Sequence, residues 1–196
     1  ALQGGFDYEI AVAKPVTVYA GVWGSNVDFN ESGSVDGATV EIDWYGGLKG
    51  NIGDTGLSWD AGFIYYSYPG AASSLDYDFW EVQGALGYDF GIASVSASLN
   101  YSPENFGKSG DAYYYKLGVD VPVPAVEGLS FSGYVAKQDI QKNAVFGTAD
   151  YVEWNIGVTY NVAGLFDASI NYSDTDVSPG ADGKEEAVLF TISRSF

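Results

Sequence analysis

Two short stretches hold residue types at spacings that could do chemistry. SPENFGKS at 102–109 ends like a phosphate-binding loop and follows a strand-like segment. A phosphate cradle needs glycine at its first position and a helix N-terminus directly after it. Ser102 fills that first position, and DAYYYKLGVD, which follows, alternates as a strand does, so nucleotide binding is not expected. In DTDVSPGADGKE at 174–185, Asp174, Asp176, Ser178, Asp182 and Glu185 fall at positions 1, 3, 5, 9 and 12 of a calcium-loop spacing. Pro179 stands where the sharp turn of such a loop wants glycine, and no helical pattern flanks it. The stretch reads as a solvated acidic hairpin loop. Asp174, Asp176 and Glu185 are the residues that a loose surface Ca²⁺ or Mg²⁺ site, shared with lipopolysaccharide, would use. No metal site and no cofactor is assigned.

Hydrolytic chemistry fares no better. The 196 residues include no His, which removes the usual activator of a serine or a water nucleophile. A carboxylate pair such as Glu41 with Asp60 could do acid–base work, but carboxylates on the polar face of a wet barrel read more simply as lumen charges. No enzyme is expected. The net charge of -18, with 8 Lys and Arg in all, excludes a nucleic-acid partner because a duplex would repel such a surface.

These residues must be positioned by strands. Gly, at 26 residues, and 16 Tyr, 11 Phe and 5 Trp suit an all-β chain with tight turns. Alternation of apolar and polar residues, the period of a strand, recurs nearly everywhere. GATVEIDWYGGL sets Val40, Ile42, Trp44 and Leu48 against Glu41, Asp43 and Tyr45. TGLSWDAGFIYY sets Trp59, Phe63 and Tyr65 against Ser58, Asp60 and Gly62, and DYVEWNIGVTYNV sets Trp154, Ile156 and Val158 against Glu153, Asn155 and Gly157. Similar segments at 3–12, 15–25, 78–90, 92–101, 111–121, 128–138, 165–173 and 186–196 bring the total to about eleven strands of roughly ten residues, the length a tilted strand needs to cross a bilayer. No linker interrupts them, so residues 1–196 read as one domain.

Connections alternate in length. Short ones fall at 13–14, 51–55, 89–91, 122–127 and 163–164; long, acidic, Gly-rich ones fall at 26–37, 68–76, 102–110, 139–149 and 174–185. That asymmetry predicts an antiparallel transmembrane β-barrel of the bacterial outer membrane. A soluble sandwich or lipocalin-like barrel would show the same alternation with its faces reversed. A polar set rich in Gly, Ser and Asn, and Trp or Tyr near strand ends, favour the membrane form. The lumen is then expected to hold Glu41, Asp43, Lys49, Asp60, Glu81, Gln83, Lys116, Asp120, Lys137, Glu153, Asn155, Asp167 and Arg194. Trp44, Trp59, Phe63, Trp154, Ile156, Phe190 and Ile192 are expected to face lipid. Asp28, Glu31, Asp36, Asp76, Asp78 and Asp174 add negative charge near the mouth. Acids outnumber bases, so an open pore should prefer cations.

The last residues, EEAVLFTISRSF, place Val188, Phe190 and Ile192 at alternate positions behind Phe196, the pattern of an assembly signal read by the outer-membrane insertion machinery; Arg194 departs from it. The strand is expected to run to Phe196. Taken together, GVWGSNVDF at 21–29, EIDWYGG at 41–47, GFIYYSYPG at 62–70, YSPENFG at 101–107, YYYKLGVDVPVP at 113–124, WNIGVTYNVAGL at 154–165 and INYSDTD at 170–176 resemble the TorF porin family. The resemblance runs over the whole chain and implies a small outer-membrane barrel but no catalytic or binding residues. Members carry a further strand upstream of the segment matching QGGFDYE. An even strand count then leads to an expectation of twelve strands, with one before Gln3. The function expected is a porin-like channel for passive diffusion of small solutes; the alternative is a closed structural or adhesion barrel filled by its side chains. Lipid, lipopolysaccharide, the assembly machinery and small solutes or cations are the expected partners.

Overall fold

The computed structural model describes residues 1–28, 37–177 and 186–196. They form one 11-stranded antiparallel sheet in which every strand pairs with its sequence neighbours. The strands are β1 (Gln3–Ala13), β2 (Val16–Asn26), β3 (Val40–Asn51), β4 (Leu57–Ser67), β5 (Phe79–Asp89) and β6 (Ser94–Ser102), then β7 (Ala112–Pro122), β8 (Leu129–Ile140), β9 (Tyr151–Val162), β10 (Phe166–Thr175) and β11 (Glu186–Ser193). Among the described residues helix is confined to short turns at Ser73–Leu75 and Phe106–Lys108 and to α1 (Asn143–Phe146).

Short turns lie at one end and long loops at the other, as the alternation of lengths requires. A tight turn joins β9 to β10. Leu165 N donates to Val162 O at 2.9 Å across Ala163 and Gly164, whose φ values are 53° and 73°. Both central residues of this hairpin type need positive φ. Glycine enters that region freely and Ala163 at some cost.

Ladder register identifies two faces, and hydrogen bonds show which one is concave. Tyr19 on β2 donates to Asp60 on β4 at 2.7 Å, reaching across β3. Tyr45 on β3 reaches Asp7 on β1, and Tyr114 on β7 reaches Glu153 on β9. Strands two apart are separated by roughly 9–10 Å, so side chains meet over that distance only where the sheet curves toward them. The concave face is therefore the polar one.

The convex face carries the apolar residues. Trp44, Phe63, Leu86, Leu117, Phe131, Ile156, Ile170 and Phe190 all lie on it and are exposed. So broad an apolar surface is the outer face that a transmembrane barrel needs. Most of its tyrosines and tryptophans lie toward the strand ends: Tyr65, Trp80, Tyr101 and Trp154 toward the loops, Trp59, Tyr88 and Tyr160 toward the turns. Tyr65 donates to Asp78 at 3.1 Å and Tyr101 to Asp111 at 2.9 Å, so their hydroxyls reach the polar loop layer while the rings lie on the apolar band.

Among the described residues β1 pairs only with β2, and β11 only with β10. The sheet curls far enough for its two edges to meet across a cleft of about 880 Å³, lined by residues 1–7 on one side and 191–196 on the other. Both edge strands run from the loop end toward the turn end. Any strand occupying the seam and pairing in antiparallel fashion must run the opposite way. The ladder of β11 stops at Ser193, opposite Asp167, short of the expected Phe196. Beyond that point only Phe166 of β10 precedes the Ala163–Leu165 turn, so the ladder does not extend over Arg194–Phe196.

Candidate functional site

The concave face is the candidate site. Register places Glu41, Asp43, Asp60, Glu81, Gln83, Lys116, Asp120, Glu153, Asn155 and Asp167 on it. Trp44, Trp59, Phe63, Trp154, Ile156, Phe190 and Ile192 fall on the convex face. Arg194 does not join the concave set. It lies past the end of β11, on the alternation of Ile192, and its guanidinium sits 4.8 Å from the Phe196 ring centroid. Nor does Lys137. Ala136 and Gln138 of β8 face inward opposite Glu153 and Tyr151, so Lys137 between them points outward, where it pairs with Asp139 at 2.6 Å. Glu31, Asp36 and Glu185 lie outside the described residues. Asp174 is on the convex side, within 3.4 Å of the Tyr172 hydroxyl, and Asp176 accepts from Val152 N at 2.7 Å. Among the described residues these two gather no group of ligands able to hold a metal.

Charge inside is lopsided. The strands turn Asp7, Glu9, Glu41, Asp43, Asp60, Glu81, Asp89, Asp120, Glu153 and Asp167 inward, against Lys49 and Lys116. Lys49 pairs with Glu9 and lies 5.5 Å from the Tyr19 ring; Lys116 stands 4.1 Å over Tyr134. Neutral partners hold several of the other acids. Asn100 donates to Glu81 at 2.8 Å and Tyr66 to the same carboxylate oxygen at 3.3 Å, while Asn161 donates to Asp167 at 2.7 Å. Oδ1 of Asp43 is buried with no hydrogen-bond partner.

Sequence patterning left the inward aromatics unassigned as a group. Tyr19, Trp23, Tyr66, Tyr114 and Tyr134 share the concave face with the acids. For Tyr66 the signal was present, since it alternates with Ser58, Asp60 and Gly62. Glycines make room for these rings: a Cβ on Gly47 or Gly62 would come within 2.7 or 2.6 Å of the Tyr19 hydroxyl.

Three long loops converge over the lumen. Phe106 stacks on Tyr77 at 4.2 Å between centroids and meets Tyr68 edge-on at 5.4 Å. α1 packs against the 106–108 turn. Gly107 N donates to Asp76 O at 2.9 Å, Lys108 pairs with Asp76 at 2.9 Å, and the Lys142 ammonium donates to Lys108 O at 3.2 Å. Tyr68 is buried, and that burial, ahead of the charge of nearby Glu41, pushes its phenol well above the ordinary value. Beneath these loops lies a cavity of about 370 Å³ that reaches from Glu41 and Glu81 to Gln138 on β8. A second, of about 450 Å³, shares Glu41 and is lined also by Trp23, Asp43 and Tyr66.

A family model described as "Bacterial protein of unknown function (Gcw_chp)" matches residues 1–196. The chain belongs to the Gcw_chp family. Among curated proteins, none matches it by sequence. Among solved structures it is similar to a porin, at 17% identity and a TM-score of 0.54, over 95% of this chain and 59% of that one. It is also similar to OccK5 (OpdH) of Pseudomonas aeruginosa, at 15% identity and a TM-score of 0.59, and to OccK8 (OprE) of the same organism, at 14% and 0.57. Both matches cover 97% of this chain and 56% of the other. This Gcw_chp chain thus has the all-β fold of outer-membrane porins while spanning a little over half the length of these three.

Proposed function

We propose that this Gcw_chp protein is a bacterial outer-membrane channel through which small solutes diffuse passively, with a preference for cations. The observation that carries the reading is the acidic excess turned inward on a porin-type sheet whose outer face is apolar. A charged wall inside a low-dielectric shell concentrates counter-ions and repels co-ions. The resemblance to TorF porins adds to the reading. Proton-transfer catalysis is not part of it. Lipid and lipopolysaccharide are the partners of the convex face and its loop rim. Phe196, fully exposed, with Phe190 and Ile192 behind it, is the element offered to the assembly machinery.

Insertion into planar bilayers tests the proposal. Discrete current steps are expected, with a reversal potential in asymmetric KCl on the cation-selective side. Anion selectivity would overturn the charge reading. The converging loops favour a second reading, a structural or adhesion barrel closed at its outer end. Absence of current from correctly inserted protein would decide for that.

A further inference from the structure

The cavity beneath the loops has walls that passage of inorganic ions does not require. Rings of Tyr68, Phe79, Phe106 and Phe146 line it, as do Glu41 and Glu81 from the strands. Its volume, about 370 Å³, falls within the roughly 300–1,000 Å³ of small-molecule pockets. The rings brace one another through Phe106, which meets Tyr68 at 5.4 Å and Phe79 at 6.4 Å, while Phe79 stacks on Tyr66 at 4.4 Å. The cage is therefore preformed.

Its charge is unbalanced. Among the described residues neither Glu41 nor Glu81 has an ion pair, and Asn100 and Tyr66 both donate to one oxygen of Glu81, Oε2. Two positions along β3 from Glu41, in the adjoining cavity, is the buried Asp43 oxygen that lacks a donor. Part-buried carboxylates call for a positive counterpart. Aromatic faces attract a cation that sheds its water easily, which an organic ammonium does and a hydrated alkali ion does not. An anion is repelled by the carboxylates. A neutral sugar could stack on the rings but would leave the charge uncompensated.

We propose that this cavity binds small organic ammonium ions, the apolar groups against the rings and the positive centre toward Glu41 and Glu81. The identification deepens the channel reading and rests on it for the route by which such solutes arrive, but not for the binding itself. Two measurements on the folded full chain keep the two claims apart. The first is calorimetric titration of detergent-solubilised protein with tetramethylammonium and with choline, using glucose as a neutral probe. Saturable binding of the two cations is expected, and none of glucose. Affinity should fall roughly tenfold in Phe106→Leu and further in Glu81→Gln, and stay unchanged in Lys137→Gln on the convex face. Because Phe106 is in a loop, its variant tests the cage without touching a strand. The second is the K⁺ current across a bilayer, in which tetramethylammonium added on the loop side should block saturably. Binding without any current supports the cage and removes the channel. Current without saturable cation binding overturns the cage and leaves the channel standing. Glucose binding as tight as choline also overturns it.

Discussion

At the scale of single residues, adjacent positions on one strand have opposite fates. Ile156 is 59% exposed on the convex face and Asn155 beside it donates to Ser173 at 2.9 Å on the concave one. Ile156→Arg, near the bilayer midplane, should cost about 2–4 kcal/mol of folding free energy in liposomes, measured by denaturant titration. Asn155→Arg should leave that free energy nearly intact and change ion selectivity in bilayers. If both arginines proved equally destabilising, the assignment of faces would be wrong. Inward glycines are a second residue-scale device. Tyr19 crosses Gly47 and Gly62 to reach Asp60, and a side chain on Gly62 would collide with its hydroxyl. Gly62→Val should therefore cost about 1–3 kcal/mol by overpacking. The same titration on the Tyr19→Phe background should show a smaller penalty, since the phenol is one of the displaced groups.

Loops and strands differ in how they hold together. β2 to β10 carry ladders on both sides, so their stability comes from backbone bonds that lipid cannot replace. The loop cluster depends instead on a few contacts: Phe106 on Tyr77, Lys108 with Asp76, and α1 against the 106–108 turn. Exposed ion pairs such as Lys108–Asp76 contribute little individually. The aromatic stack therefore carries most of the ordering. Replacing residues 104–109 by a Gly-Ser turn should raise single-channel conductance without lowering the denaturant midpoint. Unchanged conductance would place the constriction elsewhere in the lumen.

For the whole molecule, selectivity should depend on ionic strength. Fixed acids act over a screening length of roughly 30 Å at 0.01 M salt and about 3 Å at 1 M. Cation preference measured from reversal potentials should be strong at low salt and fall toward unity near 1 M. A preference unaffected by salt would mean that close contact, not the summed field, selects the ion. The seam is the other global feature. In hydrocarbon the free edges of β1 and β11 would leave backbone groups unsatisfied. Because both edges run in the same direction, only a strand antiparallel to each can complete them with the pairing used throughout the rest of the sheet.

The alternation of residues such as Trp154, Asn155 and Ile156, together with the lengths of the connections, was enough to determine the all-β class, the strands to within a few residues and the two faces. Both signals are local: side chains on a strand change face at every residue, and a turn or loop writes its length directly into the chain. Arg194 and Lys137 escaped that logic. One lies beyond the last ladder pair, where alternation has no sheet to refer to. The other is a charge on an apolar face, paired with Asp139 near the loop end instead of turned inward. Which face is concave was settled only by contacts across intervening strands, such as Tyr19 to Asp60. The cage of Tyr68, Phe79, Phe106 and Phe146 likewise exists only in three dimensions. Curvature and the convergence of three loops bring together residues up to 78 positions apart, and no period along the chain records that encounter.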